Sequence, residues 1–349
     1  MNDTLTIKDV PLSKDARVQR GPLHIAYDIT YRCNMRCLHC FNLSGERGDR
    51  RKELSDEEVI RFLDEDIRYL KPYSFCFCGG EPFLRESLLY EGFEILRTAG
   101  IKASLVTNGL LLTRQRARRL RDVGVYQVQV SLDGSRASTH EQLRLAPGSF
   151  QKALHSIDNL RRENIRVGVA FTPTKFNIGE IEDVVDLVKK RGVGLVRIQP
   201  LMILGRALPN QEKIVPTPYE YRTLIQKIQI LNGCQDMRVE WGDPVEHLIH
   251  FRNKADGFCP FVTICADGNI TVSPYLPLSL GNIRKHSLKS YWDAGLGRAW
   301  SLSIVRKLAR RIRSVPDFGK IDPDTPTVFY DDCLFIDLID ENPFEAGHE

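Results

Sequence analysis

The chain has 349 residues, of which 42% are hydrophobic and 27% charged, and its net charge is +4. This length can bury a full α/β core plus a small appendage, and the charge is too small to indicate nucleic-acid binding. No apolar run approaches the roughly 20 residues that cross a bilayer, and the polar N-terminus is no signal peptide. We therefore expect a cytoplasmic protein with reduced cysteines, no membrane partner and no nucleic-acid partner.

From residue 24 onward, strands alternate with helices, which predicts βαβ units and a parallel sheet. Six strands are predicted: His24–Thr30, Tyr73–Phe77, Lys102–Thr107, Tyr126–Ser131, Arg166–Thr172 and Leu195–Pro200. A capping box, Ser55 with Glu58, begins the first helix. Further helices are predicted at Ser87–Ala99, Thr113–Val123, Ser149–Glu163, Gly179–Lys190 and Pro218–Leu231. Five arginines between Arg114 and Arg121 lie on one of them, and a solvated face explains them better than RNA binding.

Six βα units are too few for a closed eight-stranded barrel, so we predict an open partial (β/α)6 barrel over residues 24–240. Residues 1–23 form a polar tail. After residue 240 the alternation stops, and residues 241–349 are expected to form a small α+β extension. It contains a hairpin, Phe261–Cys265 and Asn269–Ser273, turned by Asp267-Gly268, and a short helix around Leu288–Trp300.

Three cysteines, Cys33, Cys37 and Cys40, follow the first predicted strand. Three soft thiolates on one loop can hold three irons of a cubane cluster and leave the fourth open to a small ligand. A structural zinc site needs four ligands, commonly as two pairs, and no second pair is near. The triad therefore favours an iron-sulfur cluster.

The spacing of this triad, with an aromatic residue (His39) before its last cysteine, resembles that of the radical SAM superfamily. Three later segments also resemble the superfamily's pattern: Gly79-Gly80-Glu81-Pro82, Thr107-Asn108-Gly109 and Ser131-Leu132-Asp133-Gly134, followed by Arg144. The resemblance implies a [4Fe-4S] cluster on the triad and S-adenosylmethionine as cofactor, whose C–S bond is cleaved after reduction by an external electron donor.

The same resemblance implies roles for single residues. Glu81, beside two glycines that let backbone approach a ligand, would receive the ammonium of S-adenosylmethionine. Arg144 would pair with its carboxylate, Ser131 would contact the ribose or carboxylate region, and His39 would pack against adenine. Asn108 and Asp133 complete the expected cofactor-binding set, with Gly79, Gly80 and Pro82.

Residues 258–292 resemble the SPASM or twitch extension of peptide-maturing radical SAM enzymes, which holds auxiliary clusters. The sequence departs from that pattern: Ser273, Pro274 and Tyr275 replace the usual cysteine after the hairpin. Cys259, Cys265 and Cys333, with Cys234 as a distant fourth, would ligate one auxiliary cluster. Alternatively, one of these thiols, Cys234 or Cys333, is a catalytic hydrogen-atom donor. Cys76 and Cys78 face one side of their strand and are either core residues or inward-facing thiols.

The resemblance implies a maturase that crosslinks, epimerises or splices a ribosomally made precursor peptide, with the degenerate extension most similar to enzymes of Nif11-type precursors, including spliceases. A radical SAM dehydrogenase or epimerase on a sugar or nucleoside, and a non-catalytic metal-binding scaffold, are the alternatives. Because about 23 polar residues cannot form a packed leader-binding domain, we expect a separate small protein to bind the leader. It would dock on a patch of Tyr275, Pro277, Tyr291 and Trp292.

Overall fold

A nine-stranded sheet forms the centre of the protein. The computed structural model describes residues 20–46, 53–234, 237–321 and 333–344. The strands are β1 (His24–Thr30), β2 (Ser74–Gly79), β3 (Lys102–Thr107), β4 (Gln127–Ser131), β5 (Arg166–Phe171), β6 (Leu195–Ile198), β7 (Arg238–Trp241), β8 (Phe261–Ile264) and β9 (Ile270–Thr271). Their order is β7-β6-β5-β4-β3-β2-β1-β8-β9, and every neighbouring pair is parallel except β8 with β9.

The fold is an open, partial TIM-like barrel, as predicted, since β7 and β9 lie at opposite edges of the sheet. All six predicted strands are present, with ends that differ by at most two residues. The sheet gains β7 beyond the predicted six, and β8 of the predicted hairpin joins it parallel to β1. Only Val239 of β7 is buried, so the sequence of this strand carries a weak apolar pattern and β7 was not predicted.

Helices cover one face of this sheet. The first, α1 (Asp56–Arg61), begins at the predicted capping box of Ser55 and Glu58 and continues through a π-helical segment (Phe62–Ile67) into α2 (Arg68–Leu70). The others are α3 (Glu86–Thr98), α4 (Arg114–Asp122), α5 (Ala137–Arg144), α6 (Ser149–Arg162), α7 (Ile181–Lys189), α8 (Ala207–Ile214), α9 (Pro218–Cys234), α10 (Pro244–Arg252), α11 (Leu288–Asp293) and α12 (Ser303–Arg311). No described helix is long and apolar enough to cross a membrane.

The two faces of the sheet differ in character. Apolar side chains such as Ile25, Tyr27, Phe75, Phe77 and Val128 are buried beneath the helices. Their neighbours on each strand point to the opposite, concave face, because side chains alternate along a strand. Many of these inward positions are polar and only partly buried. The concave side of the barrel is therefore accessible to a ligand.

The arginines of α4 are engaged within the protein. Arg116 pairs with Glu86 at 2.5 Å, Arg118 and Arg121 pair with Glu163, and Arg119 lies over the ring of Tyr90. These contacts explain the cluster without a nucleic acid.

The extension packs closely on the barrel. It adds the strand pair β10 (Leu278–Ser279) and β11 (Leu334–Phe335) and a 3-10 segment (Leu296–Ser301). Tyr291 and Pro277 are buried, and Tyr275 packs edge-on against His247 and close to Phe318. The predicted docking patch is thus not an exposed surface, because its aromatic residues complete the core.

Candidate functional site

The three predicted cluster ligands lie on the loop that follows β1, which we call the cysteine loop (residues 31–46). Backbone hydrogen bonds to α5 and within the loop hold it in place. Leu38 N–H donates to Leu143 O of α5 at 2.9 Å, and Gly45 N–H donates to Tyr31 O at 2.8 Å. Cys37 is buried, whereas Cys33 and Cys40 are partly exposed. The loop therefore presents its thiols toward the C-terminal ends of the strands, where the site was expected.

Arg206, just before α8, is the residue that sequence reasoning missed. Its Nε donates to Cys37 O at 2.9 Å, its Nη2 donates to Ser44 O at 3.1 Å, and its backbone N–H donates to Cys40 O at 3.0 Å. Arg206 thus clamps the cysteine loop from the end of β6. The only sequence signal was a Gly-Arg pair after a strand, in a fold whose site lies at strand ends.

The segment after β2 is joined directly to this loop. Gly80 N–H donates to Thr30 O at 2.7 Å, and Glu81 N–H donates to Arg32 O at 2.8 Å. A Cβ on Gly80 would stand 2.0 Å from Arg32 O, and Gly79 has φ +116°. The close approach at Gly80 is therefore to protein backbone, not only to a ligand as the sequence analysis expected.

Glu81 is fully buried, and both of its carboxylate oxygens are engaged within the protein. Oε1 accepts from Thr107 Oγ1 at 2.8 Å and from Phe83 N–H at 3.3 Å, and Oε2 accepts from Asn108 N–H at 2.9 Å. Burial raises the pKa of Glu81 despite these bonds. A carboxylate has about four acceptor positions. A cofactor ammonium would therefore share the Glu81 carboxylate with the donors at the end of β3.

Asn108 links the same strand end to the cysteine loop. Its Nδ2 donates to Asn34 Oδ1 at 2.8 Å and lies 3.9 Å from Cys33 Sγ. The side-chain hydroxyl of Ser131, at the inward end of β4, has no hydrogen-bond partner among the described residues. Its hydroxyl is therefore available to a ligand, and its contact with the cofactor stays a prediction.

Asp133 and Arg144 form a buried ion pair beside the thiols. Arg144 donates through Nε at 2.9 Å and Nη2 at 2.7 Å to Asp133 Oδ2, while Thr172 N–H donates to Oδ1 at 2.8 Å. Burial alone would raise the pKa of Asp133, but Arg144 and the neighbouring histidines hold it below its usual value. Asp133 therefore holds the Arg144 guanidinium in place. Arg144 Nη1 has no partner in the described part of the chain and can donate to a cofactor carboxylate.

Two histidines flank this ion pair. His39 Nε2 lies 3.5 Å from Asp133 Oδ2, and His140 Nδ1 accepts from Asp133 N–H at 3.1 Å. Burial lowers the pKa of His39 to about 4 and that of His140 to about 3, so both rings are neutral at pH 7. His39 Nδ1 is buried and has no hydrogen-bond partner within the described ranges. The stacking of His39 on adenine stays a prediction.

The cysteine loop suits a cluster better than a single ion. Among the described residues, the three Sγ atoms are not all within 4.8 Å of one another. One tetrahedral zinc, with Zn–S distances of about 2.3 Å, would hold its sulfurs less than roughly 4 Å apart. Burial raises the pKa of Cys37 to about 11 and also raises that of Cys33, so the thiolates need a bound cation. These residues fit a [4Fe-4S] cluster.

Cys76 and Cys78 lie on the concave face of β2 and are partly exposed. Cys78 Sγ donates to Asp28 Oδ1 at 3.3 Å. Cys78 directly precedes the Gly79-Gly80 segment. The hydrogen bond with Cys76, burial and the Asp28 carboxylate all raise the pKa of Cys78. Of the two interpretations left open, the structure supports inward-facing thiols, and Cys78 is protonated.

The structure does not bring the predicted auxiliary ligands together. Cys259 is buried in the main core with its Sγ 3.0 Å from Phe261 O, whereas Cys265 packs with Tyr31. The two cysteines flank β8 and are six residues apart, which corresponds to roughly 20 Å along an extended strand. One cluster cannot span that distance. Cys333 is partly buried beside β11, and the side chain of Cys234 lies outside the described residues.

Comparisons with known proteins agree with this site. The model of the radical SAM superfamily matches residues 27–188. An AdoMet-dependent heme synthase of Methanosarcina barkeri is 30% identical over 78% of this chain and 82% of its own length. The mycofactocin maturase MftC of Mycolicibacterium smegmatis is 27% identical over 72% of this chain and 61% of its own length.

Among solved structures, Streptococcus suis SuiB bound to S-adenosylmethionine matches 90% of this chain and 77% of its own, with a TM-score of 0.68 and 14% identity. SuiB has also been solved with its precursor peptide SuiA. The chain belongs to the radical SAM superfamily and is an enzyme that uses a [4Fe-4S] cluster and S-adenosylmethionine.

Proposed function

We propose that the enzyme matures a ribosomally made precursor peptide by removing a hydrogen atom from an unactivated C–H bond, followed by crosslinking, epimerisation or splicing. When bound, the cluster and S-adenosylmethionine supply the 5′-deoxyadenosyl radical for that step. The residues of the chain hold the cluster, orient the cofactor through Arg144 and Ser131, and line the substrate space.

The observation that carries this proposal is the chemistry of the concave face. Uncharged hydrogen-bonding side chains line it from β3 to the end of β6: Ser104, Gln127, Gln129, Ser131 and Gln199. Gln127 and Gly168 share this face, since a Cβ on Gly168 would stand 3.1 Å from Gln127 Nε2. Every peptide residue brings one N–H donor and one C=O acceptor, and amide side chains satisfy both. The face therefore suits a peptide backbone.

A porphyrin is the second candidate, because a heme synthase is among the relatives. Arg197 is exposed on the concave face and would bind a porphyrin carboxylate. Asp28 and Glu240 also face this side, and Glu240 pairs with Arg238 at 2.9 Å. Because Arg238 pairs with Glu240, charge does not separate the two candidates, and we place the peptide first because of the uncharged hydrogen-bonding side chains of this face.

The test uses enzyme whose cluster has been reconstituted without oxygen. Candidate precursor peptides and iron-coproporphyrin III are supplied separately with S-adenosylmethionine and a low-potential electron donor. We expect 5′-deoxyadenosine to increase and the mass of a peptide to change, with no change in the porphyrin. Decarboxylation of the porphyrin with unmodified peptides would contradict the proposal.

The reaction type is tested in deuterated water. In epimerisation, the Cys78 S–H would give its hydrogen atom to the carbon radical, and the resulting thiyl would regain one electron from the external donor and one proton from solvent. One deuterium would then enter the modified residue, and Cys78→Ala would abolish its entry while Cys76→Ala serves as the matched control. Crosslinking or splicing would proceed in both variants.

A further inference from the structure

Helix α12 has two distinct faces on the surface of the extension. Val305, Leu308 and Ala309 are buried against the rest of the fold, while the opposite face carries cations at positions three and four residues apart. An open cleft of about 1070 Å³ runs along that opposite face. Its cationic lining residues are Arg306, Lys307, Arg310, Arg311 and Arg313.

Only part of this charge has a use within the fold. Arg306 donates to Trp300 O at 2.8 Å and to Lys254 O at 3.1 Å, and Arg311 donates to Ile321 O. Lys307, Arg310 and Arg313 are exposed, and their side chains form no hydrogen bond or ion pair within the part of the chain that the structure describes.

Asp317 is the one carboxylate among the described residues that line the cleft, and it does not compensate these charges. Asp317 Oδ2 accepts from the backbone N–H groups of Arg313 and Ser314 and from the Ser314 hydroxyl, and so caps its own turn. Lys307 and Arg310 are like charges three residues apart on α12, which disfavours the helix, whereas Arg310 in the last turn is favoured by the helix dipole. The three exposed cations form no ion pair among the described residues, which points to a role in binding.

We propose that this cleft docks an acidic segment of the peptide substrate. The identification of that partner rests on the proposed function. Ile304, Ile336 and Pro343 give the cleft an apolar wall for side chains between the acidic residues. A volume of this size slightly exceeds the roughly 300–1,000 Å³ usual for ligand pockets, so several residues fit.

Two other anionic partners match the cleft less well. In the part of the chain that the structure describes, no aromatic residue lines the cleft, whereas single-stranded nucleic acid is held by stacking on aromatic rings. A membrane-binding helix inserts its apolar face into the bilayer, but that face of α12 is buried in the protein. An acidic peptide can pair its carboxylates with the exposed cations and place its apolar side chains against the small apolar wall.

The binding test uses a fluorescein-labelled peptide of alternating glutamate and leucine, and the same peptide with glutamine in place of glutamate. The cleft variant is Lys307→Gln/Arg310→Gln/Arg313→Gln. The matched control, Arg162→Gln/Lys190→Gln/Arg222→Gln, removes three exposed cations elsewhere. We expect the acidic probe to bind the cleft variant about tenfold more weakly than the wild type, a change of about 1.4 kcal/mol, and the control to bind normally. Thermal melting confirms that both variants fold.

Three results would overturn the inference: equal weakening in the control, equal affinity for the glutamine probe, or tighter binding of an oligonucleotide or an anionic vesicle that depends on the same residues. Kinetics with a modified precursor then separate this inference from the proposed function. A higher KM with unchanged kcat in the cleft variant supports both. Unchanged KM removes the docking role and leaves the maturase proposal intact. Probe binding without any peptide modification removes the maturase proposal and the identification of the docked segment as substrate, and leaves the cleft as a binding site for acidic peptides.

Discussion

Replacing Asp133 with asparagine tests how the site holds Arg144. Asparagine preserves the shape of the side chain and can still accept from Thr172 N–H. Its NH2 group then replaces Oδ2 and cannot accept from Arg144, so the change removes both the negative charge and the hydrogen bonds to the guanidinium. Asp133 is fully buried and Arg144 is only 6% exposed. The guanidinium would therefore remain in the interior without its counter-ion, which is the situation in which breaking a buried pair is most costly.

The magnitude follows from the burial of both groups. Removing one partner of a buried pair costs about 3 to 5 kcal/mol. Unfolding entropy of about 2.1 cal/mol/K per residue gives about 0.7 kcal/mol/K for 349 residues. Asp133→Asn should therefore lower Tm by about 4 to 7 °C. Because the pKa of Asp133 is depressed in the folded state, the pair contributes fully at pH 7 and is lost only as the pH falls through that folded pKa.

Calorimetry at pH 7 measures this shift, with Asp122→Asn as the matched control. Asp122 pairs with Arg121 at 2.8 Å on the surface, and its loss should change Tm little. A double-mutant cycle with Arg144→Met should show that the two losses are strongly non-additive. Additive losses, or a Tm for Asp133→Asn equal to that of the control, would refute the buried-pair argument.

Three further changes have distinct outcomes. Alanine at all three cysteines of the cysteine loop should abolish iron binding and S-adenosylmethionine cleavage, whereas the control Cys259→Ala should keep about four irons per chain. Iron and sulfide quantification measures both, and iron retained by the triple variant would contradict the ligand assignment. Gly80→Ala should lower iron content because its Cβ meets the cysteine loop, while Gly179→Ala, with open space around its Cβ, should be normal; equal iron in both would show that the contact is dispensable. Burial lowers the pKa of His140 to about 3 in the folded state, whereas its pKa in the unfolded chain is 6.5. Between these two pH values only the unfolded chain binds the proton, so the free energy of unfolding should fall on acidification by about 1.4 kcal/mol per pH unit for this residue. His140→Asn should remove that share of the slope in denaturant titrations from pH 7 to 5, and an unchanged slope would contradict it.

The strands were predictable because their burial alternates. Ile25, Tyr27 and Ile29 are fully buried, and the residues between them face the concave side. Helices whose pattern is weak were missed. Helix α5 begins at Ala137 with no side-chain cap, and its apolar positions are few. The order of the strands also followed from the chain, since neighbouring βα units in sequence pair in space.

The site was predictable in its members and less so in their partners. The motif located Glu81, Asp133 and Arg144, but their separation along the chain gave no sign that Asp133 bonds Arg144 or that Glu81 bonds the β3 end. Pairings of this kind depend on side-chain directions in three dimensions. Cys259 and Cys265 show the reverse case, because the resemblance to the SPASM or twitch extension implied a shared cluster that the extended strand between these two cysteines forbids.

The parallel pairing of β1 with β8 has a consequence for engineering. Residues His24 to Tyr27 bond on one side to β2 and on the other to β8, which comes from the C-terminal extension. A truncation before Phe261 would leave β1 as an unprotected edge strand, open to pairing with other chains. Chimeras that exchange extensions between related enzymes should therefore be joined after the β8–β9 hairpin, so that the strand carrying the cysteine loop keeps both neighbours.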